Sequence, residues 1–193
     1  MATDVTTHRM TAEEFLRLPD DGVERFLVRG ELREVGEMIR RGYRHGRAAS
    51  RIAHLLEEWL DSQPEPPGEV LSGDAAFRLR SDSPTMVGLD VAYISAELRQ
   101  RTDPGAFEID GAPLLAVEIL SPSDKSEDVH DKVEEYLACG VAVVWVVDPR
   151  IRTVTVYRPN DEPVLYNRKQ MIANEPALPG LTIQVDSMFS RPE

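Results

Sequence analysis

Apolar positions recur at two periods along this chain, and the change between them marks out its elements. From Tyr43 to Asp61, Ala49, Ile52, Leu56 and Trp59 return at helical spacing, with Leu55 and Leu60 widening the stripe. That pattern predicts one long amphipathic helix, ended by the Pro64-Glu-Pro-Pro-Gly68 cluster. Thr11 and Glu14 make a capping box for a shorter helix through Phe15 and Leu18, stopped by Pro19. Val23 to Val28 and Leu32 to Val35 flank Arg29-Gly30 and predict a hairpin. Strands are expected at Glu69 to Leu71, Ala75 to Leu79, Asp90 to Ile94 and Leu114 to Leu120. A second long helix should run from Ser126 to Ala138, with Gly140 as its C-terminal stop. Ala142 to Val147 is apolar throughout, as a central strand buried on both faces would be, and Thr153 to Tyr157 alternates beside it. Val164 to Tyr166 and Leu181 to Val185 should extend or cap the sheet. The sum is an α+β chain: a mixed, mostly antiparallel sheet flanked by two main helices. Residues 1–10 read as a flexible N-terminal tail and 11–193 as one domain.

One polar residue breaks the strand pattern. Glu118 lies in Pro113-Leu-Leu-Ala-Val-Glu-Ile-Leu120, among side chains that leave a carboxylate little water. Burying it is costly unless a cation or a metal ion compensates. A second carboxylate, Asp90, opens another strand, and two carboxylates on neighbouring strands can share one hard divalent cation. Strand alternation puts Ala116 and Leu120 on the face of Glu118, so a lysine beside it must reach in from the following turn or helix. Lys125 and Lys132 lie there, and Asp128, Lys132 and Tyr136 share one helix face. An ordinary surface ion pair between Asp128 and Lys132 is the plainer reading of that spacing.

Bulk composition narrows the classes. The 193 residues carry a formal charge of −12, which argues against broad, nonspecific affinity for nucleic acid. Met38 to Leu56 is the exception: it holds no acidic residue and carries Arg40, Arg41, Arg44, Arg47 and Arg51. Such a run is either a solvated helix face or a track for phosphates. Of the 22 basic residues, all but Lys125, Lys132 and Lys169 are arginine. Cys139 is the only cysteine, which excludes a disulfide framework and a cysteine zinc site and fits a reducing cytoplasm. No apolar run is long enough to span a bilayer.

These segments, in this order, resemble a known family. A hairpin with an early Glu24, His45-Gly46 opening a helix, Asp90-Val-Ala-Tyr93 and Val117-Glu-Ile-Leu-Ser-Pro-Ser-Asp124 come first. Asp128-x-x-x-Lys132-x-x-x-Tyr136, Gly140-Val141, Trp145-Val-Val-Asp-Pro149 and Thr155-Val-Tyr-Arg158 follow. Together they are similar to Uma2 (DUF820), restriction-endonuclease-like proteins of the PD-(D/E)XK nuclease superfamily, over Thr11 to Arg158. The resemblance implies a restriction-endonuclease-like core and a metal-dependent endonuclease acting on phosphodiester bonds. It implies Asp90 and Glu118 as ligands of Mg²⁺ or Mn²⁺. Lys132 would be the catalytic lysine, and Glu24 a further ligand or water-positioning group. Arg40, Arg41, Arg44, Arg47 and Arg51 would hold the nucleic acid, DNA before RNA, while His45, Lys125 and Asp128 are accessory candidates. A homodimer stays open. The alternative is a nuclease-fold protein without turnover that binds or regulates. Leu89 before Asp90, Arg29 in the hairpin turn and the arginine-rich stretch after the hairpin depart from the family's habit without removing a ligand.

Overall fold

The computed structural model describes residues 9–19, 21, 23–37, 42–63, 68–122 and 124–190. Residues 1–8 of the expected tail, and Arg40 and Arg41 of the basic segment, lie outside the described residues. The first helix, α1 (Ala12–Leu16), carries the capping box in full: Thr11 Oγ accepts from the Glu14 amide and the Glu14 carboxylate accepts from the Thr11 amide. Strands β1 (Val23–Val28) and β2 (Glu31–Glu37) form the hairpin, turning at Arg29 and Gly30, both at positive φ. The long helix α2 (Tyr43–Leu60) follows, its stripe of Ala48, Ile52, Leu56 and Trp59 buried.

Two long antiparallel strands come next, β3 (Glu69–Arg80) and β4 (Thr85–Ile94). The sequence predicts β3 as two strands. It is one, interrupted in register between Ser72 and Ala75, where Gly73 and Asp74 adopt positive φ. A short helix, α3 (Ala96–Arg101), leads to β5 (Ile109–Asp110) and the central strand β6 (Leu115–Ile119). Helix α4 (Ser126–Ala138) crosses to β7 (Val143–Asp148), which lies parallel to β6, as a crossover through a helix permits. Strands β8 (Thr153–Tyr157) and β9 (Val164–Asn167) finish the main sheet.

Among the described residues the main sheet has nine strands, in the order β2-β1-β4-β6-β7-β8-β9, with β3 on β4 and β5 on β3. Of the two roles expected for Leu181 to Val185, extending or capping the sheet, it takes the second: β10 (Met171–Ala173) with β11 (Thr182–Gln184) forms a separate two-stranded sheet, followed by a 3-10 turn at Val185–Met188, that packs on the main sheet's core. The sheet separates two cores. On one face α2 packs Ala48, Ile52 and Leu56 against Val91, Val117, Trp145 and Val147. On the other, Val133 and Tyr136 of α4 meet Ala92, Ala116 and Val144. Strand β7 is buried on both sides, which explains its unbroken apolar run. No helix among the described residues is long and apolar enough to cross a membrane.

One irregularity positions the site. In β4, Val87 and Leu89 join the α4-side core, as do Ala92 and Ile94, whereas Val91 and Tyr93 join the α2-side core. The side-chain alternation is therefore reset at Asp90, opposite the break in β3. A bulge of this kind re-aims one side chain without ending the strand.

Candidate active site

The register of β4 and β6 brings the two carboxylates together. Val91 pairs with Val117 and Ala92 with Ala116. The pairing ends at Val91–Val117, next to Asp90 on one strand and Glu118 on the other. There Asp90 Oδ2 accepts the amide of Ile119, the residue after Glu118, at 2.7 Å. The same oxygen lies 3.2 Å from His45 Nε2, in the first turn of α2. An ionised carboxylate only accepts, so Nε2 is the donor in that pair. Asp90 and His45 are both buried. His45 sits on the apolar stripe of α2, as its spacing implies, yet its ring is directed to the second sequence-predicted carboxylate.

Glu118 is gripped from the opposite layer. Tyr136 donates its hydroxyl to Oε1 at 2.5 Å, and Lys132 Nζ stands 3.5 Å from Oε2. The i, i+4 spacing of these residues on α4 lets each meet one oxygen of the same carboxylate. Lys132 Nζ also lies 4.9 Å from the ring centroid of Phe26, on β1. Burial raises the Glu118 pKa above the ordinary carboxylate range. The Lys132 charge pulls it down, Asp90 pushes it up again, and the Tyr136 hydrogen bond lowers it.

The site thus concentrates two carboxylates around one ammonium, an imidazole, a phenol and a backbone amide. Those carboxylate oxygens suit a hard divalent cation, which keeps several waters and needs few protein ligands. The mutual repulsion that raises Glu118 is what such a cation would relieve. Among the described residues there is no cluster of three or more His, Cys, Asp and Glu side chains able to hold a metal. Glu24 falls in β1, and its side chain lies outside the described atoms.

The remaining candidates divide. Arg44 and Arg47 are exposed on the opening turns of α2, on either side of His45, and Arg47 donates to the Tyr43 hydroxyl at 2.8 Å. Arg51 turns inward and donates to the Ser187 carbonyl at 3.2 Å, bracing α2 against the C-terminal turn. Lys125 is the exposed N-cap of α4, two turns before Lys132. Asp128 lines a groove between the hairpin and α4 with Asp131 and Glu134. Tyr136 and the Ile119 amide are site groups that the sequence pattern does not assign; the shared face of Lys132 and Tyr136 is the available signal for the first.

The Uma2 family model, described as "Putative restriction endonuclease", matches residues 12–186. The chain belongs to the Uma2 family. Its fold is similar to the crystal structure of a protein from Anabaena variabilis ATCC 29413 titled a putative nuclease belonging to DUF820. That likeness has a TM-score of 0.77 at 20% identity and covers 93% of this chain and 97% of the other. No curated protein matches the chain. The Uma2 match and the fold make this a restriction-endonuclease-like chain; the roles of Asp90, Glu118 and Lys132 rest on their geometry.

Proposed function

We propose that this Uma2 chain is a metal-dependent endonuclease that hydrolyses phosphodiester bonds of nucleic acid, DNA before RNA, in the cytoplasm. The observation that carries the reading is the nearness of Asp90 to Glu118, with Asp90 on the amide of the next residue, Ile119, and Lys132 3.5 Å from Glu118. Asp90 and Glu118 would hold Mg²⁺ or Mn²⁺. Bound there, the cation lowers the pKa of a water and offsets charge developing on the phosphate. Lys132 orients the attacking water or stabilises the phosphate oxygens, since its ammonium already stands at the carboxylate that would anchor the cation. His45 fixes the Asp90 carboxylate, and the Tyr136 hydroxyl fixes that of Glu118, so neither rotates away as charge redistributes. Glu24 is a further candidate ligand. Arg44 and Arg47 receive the backbone and carry no sequence information by themselves.

The test is a cleavage screen over single- and double-stranded DNA and RNA with Mg²⁺ and with Mn²⁺, run beside Asp90→Ala. Parent cleavage that Asp90→Ala abolishes is expected. Lys132→Ala should lower turnover by about 10²- to 10³-fold while leaving Mn²⁺-induced thermal stabilisation in place. Asp90→Ala and Glu118→Ala should each remove that stabilisation. The net charge of −12 favours a second reading, a nuclease-fold protein that binds or regulates without turnover. A parent protein that Mn²⁺ neither stabilises nor activates would decide for it.

A further inference from the structure

Beside Lys132, a cavity of about 250 Å³ opens between α1, β1, the β3–β4 ribbon and the loop before β5. Three aromatic rings from three separate segments line it: Phe15, Phe26 and Phe107. Arg25, Asp74 and Lys132 supply its polar edge. Phe107 is 78% exposed, so folding gains little from its ring. Gly88 lies on the wall, where an added Cβ would meet nothing closer than Asp74 Cβ at 3.5 Å. A side chain there would meet Asp74 in ordinary contact, so packing does not require a glycine at this point of the wall.

We infer that this cavity receives a nucleobase unstacked from its strand, so that the substrate of the site is single-stranded or frayed nucleic acid. The inference rests on the nuclease reading and adds the substrate class to it. Lys132 makes the link: its Nζ is 4.9 Å from the Phe26 ring centroid and 3.5 Å from Glu118 Oε2. A base against Phe26 therefore leaves its own phosphate within reach of the ammonium and the paired carboxylates. Charge favours the same conclusion. On a chain of net charge −12, phosphate contacts alone give a weak hold, whereas a base stacked on an aromatic ring is bound through its π-face, whatever its sequence. A base inside a duplex cannot enter such a cavity without unpairing, which penalises intact double strands.

The experiment uses the full chain with Ca²⁺ in place of Mn²⁺ to suppress cleavage, and reads fluorescence anisotropy. The probes are a short oligothymidylate, the matching oligouridylate, a fully abasic strand with the same number of phosphates, and a blunt duplex. The base-bearing strands should bind about tenfold or more tighter than the abasic strand. They should also bind tighter than the duplex, and the two of them separate DNA from RNA. Phe107→Ala should remove the gap, Phe107→Trp should keep it, and Gly88→Leu, which plugs the cavity, should remove it with the rings intact. Equal binding of base-bearing and abasic strands by the parent would overturn the cavity, as would a gap unchanged in both Phe107→Ala and Gly88→Leu. The nuclease reading survives either result if the parent still cleaves with Mn²⁺. A parent that neither binds nor cleaves any strand overturns both.

Discussion

The buried acids of this chain fall into two kinds, distinguished by what faces them. Glu175, with a side chain only 2% exposed, accepts Nε and an NH2 of Arg158 at 2.9 and 2.7 Å. Glu135, 3% exposed, accepts Arg29 Nε at 2.8 Å and the Thr85 hydroxyl at 2.7 Å. Each has a guanidinium of its own. Asp90 instead lies close enough for its charge to act on Glu118, with Lys132 the cation beside Glu118. The first kind pairs an acid with a guanidinium; the second sets two acids close to one another. An acid balanced by its own guanidinium holds elements together: Arg29 ties the hairpin turn to α4, and Arg158 ties β8 to the segment before β11. Two acids set close together are what a divalent cation would relieve, and a response to metal is what would tell chemistry from bracing here.

Breaking a balanced pair should have the largest effect. Arg158→Ala leaves the Glu175 carboxylate buried without its guanidinium, which costs about 3 kcal/mol or more of folding stability. Chemical denaturation at neutral pH measures it as a lower midpoint with little change in slope. A midpoint within error of the parent would show that Glu175 relaxes into water, and the contrast with the site would lose one side.

The opposite response is expected at Glu118. Burial raises its pKa, and the Asp90 charge adds to that, so the folded chain keeps a proton that the unfolded chain has already released. Stability from this group is full below the unfolded pKa and is lost as pH rises through the folded one. Glu118→Gln imitates the protonated form, and Tyr136 can still donate to its amide oxygen. Without metal, the variant should gain on the parent as pH rises from about 4 to neutrality, and the difference should shrink towards acid. Asp21, held down to about 2 by hydrogen bonds from Arg25 and the Val23 amide, titrates in both proteins and cancels in the comparison. Saturating Mn²⁺ should reverse the order by stabilising only the parent. Thermal melts across pH, with and without Mn²⁺, test both statements; parallel curves would remove Glu118 from the metal site.

Much of this contrast is legible in the order of residues along the chain. The periodicity of α2 and α4 marks both helices, and the apolar surroundings of Glu118 single it out as a residue needing compensation. Leu120 occupies the place beside Glu118 on its strand face, so a lysine has to come from the following helix, and Lys132 does. Local pattern cannot supply distance. His45 fits a core stripe, and nothing along the chain says that its ring meets Asp90, 45 residues away. Arg29 and Glu135 are 106 residues apart, and a hairpin-turn arginine gives no hint of a helix partner. Gly73-Asp74 falls between two expected strands, since glycine and aspartate favour turns; positive φ at both, with pairing to β4 on either side, makes it a bulge. Helix α3 has its signals, a Ser95 cap with Glu97 early and Arg99 and Arg101 late, but six residues are too few for periodicity to show. The cavity beside Lys132 draws on five separate segments, so no spacing announces it.

The smallest effect concerns the arginines that flank His45, and it tests how an acidic protein would meet a polyanion. Arg158 and Arg29 are committed to buried carboxylates, and Arg51 to the Ser187 carbonyl. Arg44 and Arg47 are exposed on the helix turn that carries His45. Salt screens charges beyond about 8 Å at physiological ionic strength, so a strand at Asp90 feels these two far more than the distant acids. Reversing both, Arg44→Glu with Arg47→Glu, should weaken binding of a single strand modestly. It should also flatten the log–log salt dependence by roughly one unit for each phosphate that is no longer neutralised. Folding stability and Mn²⁺ stabilisation should stay at parental values, since neither arginine braces the core. An unchanged salt slope would make these arginines a solvated helix face and leave the phosphates to Lys132 alone. A lost Mn²⁺ response would instead mean that the opening turn of α2 had moved, carrying His45 away from Asp90.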